Sequence, residues 1–136
     1  MSLPLGVHTL SRGARPSSQP TTHHALLVHG FGSEGYEWVY AAHELSALAE
    51  VSFWRWDWLQ CPNEAAPALR RALEALAAQD PSTPLLVLAH SYGGVILTHA
   101  LADYQGRAPV SAHVIASPLA GHPQLEARCG STLTPL

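Results

Sequence analysis

The chain has 136 residues, 47% hydrophobic and 12% charged, with a formal net charge of -3, which fits one globular domain with enough apolar material for a core. Its seven basic residues are all Arg and are scattered, so there is no electrostatic footprint for nucleic acid or acidic lipid, and neither is expected as a partner. The opening residues Met1 to Val7 lack a basic stretch followed by a long apolar one, and no run approaches the roughly 18 apolar residues of a membrane span. The expected protein is soluble and cytoplasmic. Cys61 and Cys129 lie in separate loop-like contexts without metal-ligand spacing, and free thiols are expected there. No metal or other cofactor is expected.

In chain order, a short strand is expected around Leu5 to Leu10, followed by a polar, Pro-rich loop over 11–24. Ala25 to Val28 is a continuous apolar run ending in His29-Gly30-Phe31-Gly32, the pattern of a strand buried on both faces and stopped by a glycine loop. Trp38, Ala41, Ala42, Leu45, Leu48 and Ala49 recur at helical spacing, predicting a helix over 35–50. Val51 to Trp54 is the next strand. Pro62 and Asn63 open a helix carrying Leu69, Leu73 and Leu76, closed by Asp80-Pro81. A strand over 85–89, a helix through Val95, Ile96, Leu97, Ala100 and Leu101, and a last strand over 110–116 follow. Strands alternating with helices at this spacing predict an α/β fold with a mostly parallel, doubly wound sheet between helical layers. The chain divides into an N-terminal strand and loop segment, 1–24, and a domain from 25 to 136.

Residues Leu88-Ala89-His90-Ser91-Tyr92-Gly93-Gly94 join the strand to the helix and read as a nucleophile elbow. A serine hydroxyl is a weak nucleophile at neutral pH, so an enzyme must expose it, supply a base and stabilise the oxyanion that forms on attack. The tight turn supplies exposure, and Ala89 and Gly93 are small because the helix packs closely against the strand. In His29-Gly30-Phe31-Gly32 the glycines let the Phe31 N–H point over Ser91, while the Tyr92 N–H comes from the elbow helix. Together they would form an oxyanion hole.

These two segments resemble the α/β-hydrolase family, in particular lipase and esterase branches whose elbow begins with Ala. Val114 to Gly121 also looks like the strand that follows the elbow helix there. The resemblance implies a three-layer α/β sandwich, Ser91 as nucleophile, and Phe31 and Tyr92 as oxyanion donors. It also implies an acid and then a His on later loops. Tyr92 to Leu136 holds no convincing pair, so the fold is expected to be incomplete, truncated at its C-terminal side. Asp103 and His99, displaced by roughly 18 and 12 Å along the elbow helix, cannot serve Ser91. His90 is expected to point away from the hydroxyl and His29 to make an orienting hydrogen bond. His113 is expected in the core or between strands. His122, at the carboxyl edge of the last strand, is the one candidate base, with Glu126 as its orienter.

Trp54, Trp56 and Trp58 alternate at strand spacing; core packing is the favoured reading, and a substrate pocket at Trp56 and Trp58 the other. Asp57 between them is expected to be a loop residue. Ending the sheet at 110–116 would leave an open edge, so association through that strand is expected. Two function classes fit. One is a serine hydrolase that takes a small-molecule carboxylic ester through an acyl-enzyme on Ser91. The other is a catalytically inactive remnant of that fold, acting as a binding or interaction module. Haloperoxidase-like or acyltransferase chemistry is a third, weaker fit.

Overall fold

A computed structural model describes residues 4–10 and 21–130. Its elements are β1 (Gly6–Thr9), β2 (His23–Val28), a 3₁₀ turn (Tyr36–Trp38), α1 (Val39–Leu45), β3 (Ala49–Arg55), α2 (Pro62–Gln79), β4 (Leu85–His90), α3 (Tyr92–Ala102), β5 (Val110–Ile115) and α4 (Pro123–Cys129). The strands form one sheet in the order β1-β3-β2-β4-β5. All neighbours are parallel except β1, which runs antiparallel along β3. The expected α/β fold with a mostly parallel sheet is therefore present.

Alternation along the central strands divides the core into two layers. Leu26, Val28, Leu85, Val87 and Ala89 face Leu69, Leu73, Leu76, Ile96 and Leu97 of α2 and α3. Ala25 and Leu27 face Trp38 and Ala42 on the other side, with Leu86 and Leu88 packed against that cluster. Trp54 and Trp56 are buried with the first layer, stacked at 6.3 Å between ring centroids, so these two indoles are core. Burying each stabilises the fold by about 2–3 kcal/mol.

Three expectations change. The helix expected over 35–50 is a 3₁₀ turn and a seven-residue helix that stops at Leu45. Beyond it, the Ser46 hydroxyl donates to His43 O at 2.6 Å, and the Ala47 and Leu48 N–H groups make tight turn bonds to Glu44 and Leu45. Ala49 is already paired with His23 at the start of β3, so sheet pairing outcompetes helical periodicity there. The loop expected over 11–24 gives way to β2 at His23; its part at 11–20 lies outside the described residues. His113, expected in the core, is exposed on β5, its Nε2 3.2 Å from Ser111 Oγ. Among the described residues β5 pairs only with β4, and Val114 and Ile115 remain 39% and 46% exposed.

The cysteines are the fourth correction. Cys61 and Cys129 form a disulfide with Cα atoms 5.7 Å apart, across 68 residues of sequence. Cys61 precedes the first turn of α2 and Cys129 ends α4, a proximity that only the finished fold creates. Such bonds persist in oxidising surroundings. The same seam holds Arg128, whose guanidinium donates to Leu59 O, and buried Leu125. A loop of this length gives about 4 kcal/mol on the chain-entropy account. Urea unfolding with and without a dithiol reductant should show a loss of that order, and coincident curves would contradict the clamp.

Candidate active site

The carboxyl ends of β2, β3 and β4 meet above the sheet, the usual place for a ligand in an open α/β fold. At the end of β4 the chain turns into α3 through Ser91, whose φ of 54° and ψ of -124° lie in a region that costs a non-glycine residue about 1–3 kcal/mol. Hydrogen bonds hold this turn on both sides. The Ser91 N–H donates to Ile115 O at 2.9 Å, and the Gly94 N–H donates to Ser91 O at 3.0 Å.

Close approach explains the small residues. A Cβ on Gly93 would stand 2.6 Å from His29 O and 3.0 Å from Val28 O, both backbone atoms that cannot move aside. A Cβ on Gly30 would meet Ser91 Cβ at 3.0 Å. The first turn of α3 thus lies against the end of β2, and the glycine loop lies against Ser91.

His29 fastens that loop. It is buried, its Nδ1–H donates to Gly30 O at 2.9 Å, and its Nε2 accepts the Trp56 N–H at 3.1 Å. The Trp56 indole N–H returns to His29 O at 2.9 Å, with the rings stacked at 5.3 Å. Those partners assign the neutral Nδ1–H tautomer, and burial pushes the His29 pKa below its ordinary value. The next residues are tied from α1's side. Glu37 Oε1 accepts the Gly30 N–H at 3.5 Å and Oε2 accepts the Ser33 hydroxyl. Burial opposes ionisation of Glu37, but these donors outweigh it and hold the carboxyl below its usual range.

Two amides next to Ser91 and the glycine loop are left over. Tyr92 is the first residue of α3, so its N–H has no intrahelical acceptor. Neither it nor the Phe31 N–H has a protein acceptor among the described residues. The Phe31 ring lies edge-on to Trp58 at 4.9 Å and to Tyr92 at 5.4 Å. An open cleft of about 660 Å³ is lined by Gly30, Phe31, Gly32, Ser33, Glu34, Tyr36, Glu37, Trp58, His90 and Ser91.

Ser91, Phe31 and Tyr92 thus come together. His90 lines the cleft as well. Trp58 lines it too, while Asp57 is a loop residue whose Oδ1 accepts the Leu59 N–H at 3.0 Å. His99 and Asp103 border a separate cavity between α2 and α3. His122 caps α4, its Nδ1 accepting the Gln124 N–H at 3.3 Å, and is not among the cleft's lining residues. That cap places its proton on Nε2, the nitrogen a base needs free. Glu126 lies exposed in the first turn of the same helix. The residues missed from sequence are Ser33 and Glu37, whose only signal is a spacing of four beside the glycine loop. No cluster among the described residues could hold a metal ion, and none of their helices is long and apolar enough to cross a membrane.

A model of the alpha/beta hydrolase family matches residues 25–135. The chain belongs to that family. The mature lipase BlEst2 of Bacillus licheniformis superposes with a TM-score of 0.67 at 14% identity, over 92% of this chain and 53% of the lipase. A serine hydrolase without a lid from Xanthomonas campestris gives 0.63 at 17%, over 90% of this chain and 66% of its own. Esterase B of Lactobacillus rhamnosis, inhibited by a tributyrin phosphonate, gives 0.62 at 12%, over 93% and 55%. At such identities the likeness is one of fold. This alpha/beta hydrolase chain spans between about half and two-thirds of those lengths. Among curated protein sequences, none matches it significantly.

In this family member the Gly93 contact is the tightest backbone approach at the site. Gly93→Ala should cost at least about 2 kcal/mol, since neither carbonyl can yield. Equilibrium urea denaturation measures it, and an unchanged midpoint would mean that α3 does not approach β2 this closely.

Proposed function

We propose that the chain is a serine hydrolase of carboxylic esters working through an acyl-enzyme on Ser91. The observation that supports this reading is that the positive-φ Ser91 lines one cleft with Phe31, whose ring lies 5.4 Å from that of Tyr92, while neither the Phe31 nor the Tyr92 amide has an acceptor among the described residues. The sharp turn would serve as the nucleophile elbow. Ser91 Oγ would bond to the ester carbonyl carbon while its proton passes through a base to the departing alcohol, and the two N–H groups donate to the oxyanion; water then cleaves the acyl-enzyme, its hydroxyl going to the acid and its proton back to Ser91 Oγ. Removing one such donor typically costs a hundredfold or more in rate, roughly 3 kcal/mol. The lipase and esterase neighbours support the reaction class.

One observation favours a second reading, a module that binds through this cleft without turnover. For His122 to act as base it must give up the α4 cap. A fluorophosphonate probe separates the two, since it reports an activated serine without knowledge of the substrate. The hydrolase reading expects an adduct on Ser91 by peptide mass spectrometry, absent from Ser91→Ala and from heat-denatured chain. A folded sample that takes no label supports the binding module instead.

Self-association through β5 is part of the same proposal. The strand VSAHVI carries neither a charged residue nor Pro, so its open edge lacks the usual guards against strand addition. Light scattering over a concentration series should detect dimers, and a monodisperse monomer throughout would exclude the pairing.

A further inference from the structure

The disulfide between Cys61 and Cys129 stands close to a wall of the cleft, and a short series of contacts joins the two. Trp58, three residues before Cys61, lines the cleft and meets the Phe31 ring edge-on at 4.9 Å. The turn between Trp58 and Cys61 is closed on itself. Asp57 Oδ1 accepts the Leu59 N–H at 3.0 Å, and Asp57 O accepts the Gln60 N–H at 2.9 Å. A displacement of Cys61 is therefore passed to Trp58 through one bonded turn.

Two ties fasten that turn to α4. Arg128 donates to Leu59 O, and Cys129, the next residue, bonds to Cys61. With seven residues α4 does not hold its shape alone, since isolated helices shorter than roughly 12 residues are marginal in water. Its buried Leu125 belongs to neither core layer. The helix thus depends on the seam with the Trp58 turn, and the turn depends on the helix. By contrast α2, on the other side of Cys61, is secured by Leu69, Leu73 and Leu76 in the core. Both cysteines are half-buried, within reach of a thiol reductant.

We infer that this disulfide is a redox latch on the cleft: oxidised, it holds Trp58 against Phe31, and reduced, it frees α4 and lets the Trp58 wall move. Its effect on Ser91 rests on the hydrolase reading, in which Phe31 supplies an oxyanion donor. The co-reactant is a dithiol. One of its thiolates bonds to a sulfur of the disulfide and expels the other cysteine, which takes up a proton. The second thiol of the reductant then displaces the remaining cysteine, so the reductant leaves as a disulfide and the chain gains two electrons and two protons.

Acrylamide quenching of indole fluorescence reads the latch, because of the four tryptophans Trp38, Trp54 and Trp56 are buried and Trp58 is half-buried. Full reduction, verified by intact mass after thiol alkylation, should raise the quenching constant about twofold or more through local opening. Trp58→Phe should show no such rise, and Cys61→Ser with Cys129→Ser should behave as reduced without any reductant. The rate of fluorophosphonate labelling at Ser91 should fall about tenfold or more on reduction and recover on reoxidation. Unchanged quenching in the fully reduced chain overturns the latch. A rise that Trp58→Phe also shows means that the whole fold loosens, and overturns it too. Exposure of Trp58 with Ser91 labelled at the oxidised rate overturns the control of the site. Exposure of Trp58 in a chain that takes no label in either state supports the latch and refutes the hydrolysis.

Discussion

Everything at the site depends on how closely the first turn of α3 lies against the end of β2. Gly93 leaves no room for a methyl group over the carbonyls of Val28 and His29. That contact forces the chain to leave β4 through a single residue of positive φ, and that residue is Ser91. The same carbonyl of His29 accepts the Trp56 indole N–H, and the His29 ring bridges Gly30 O and the Trp56 N–H. The helix, the glycine loop and the end of β3 are thereby locked to one another. The strain at Ser91, about 1–3 kcal/mol, is offset by burial of α3 residues such as Val95, Ile96 and Leu97.

The second consequence concerns the polar groups. Hydrogen bonding around the glycine loop is nearly complete: Gly30 donates to Glu37, Gly35 to Ser33, and the Trp38 indole to Val28 O. Against that background the Phe31 and Tyr92 amides stand out as donors without an acceptor among the described residues. A buried neutral histidine fixes the loop without bringing charge to the site. Fixed dipoles of this kind stabilise developing negative charge because they need no reorganisation as it appears.

How much of this was legible from sequence follows from which interactions are local. The strands at Ala25 and Leu85 and the helix through Leu69, Leu73 and Leu76 carry strong periodic signals, and Ala89, Ser91 and Gly93 announce their turn by size alone. The 35–50 segment misled because Leu48 and Ala49 continue a helical spacing while β-pairing claims Ala49. Cys61 with Cys129, and Ser33 with Glu37, meet through tertiary geometry that no short spacing encodes. His113 was misplaced because a strand's burial is decided by what stands beside it, and β5 has β4 on one side alone among the described residues. His122 stood at a fitting position in the chain order, but its ring is engaged in ending a loop and starting α4.

The central claim is that Ser91 and the two amides address one point in space. A crystal structure of the chain after reaction with an alkyl phosphonate tests it most directly. The account predicts phosphorus bonded to Ser91 Oγ and the phosphonyl oxygen about 3 Å from both the Phe31 and Tyr92 nitrogens. A phosphonyl oxygen turned to solvent, or an adduct on any other residue, would contradict it.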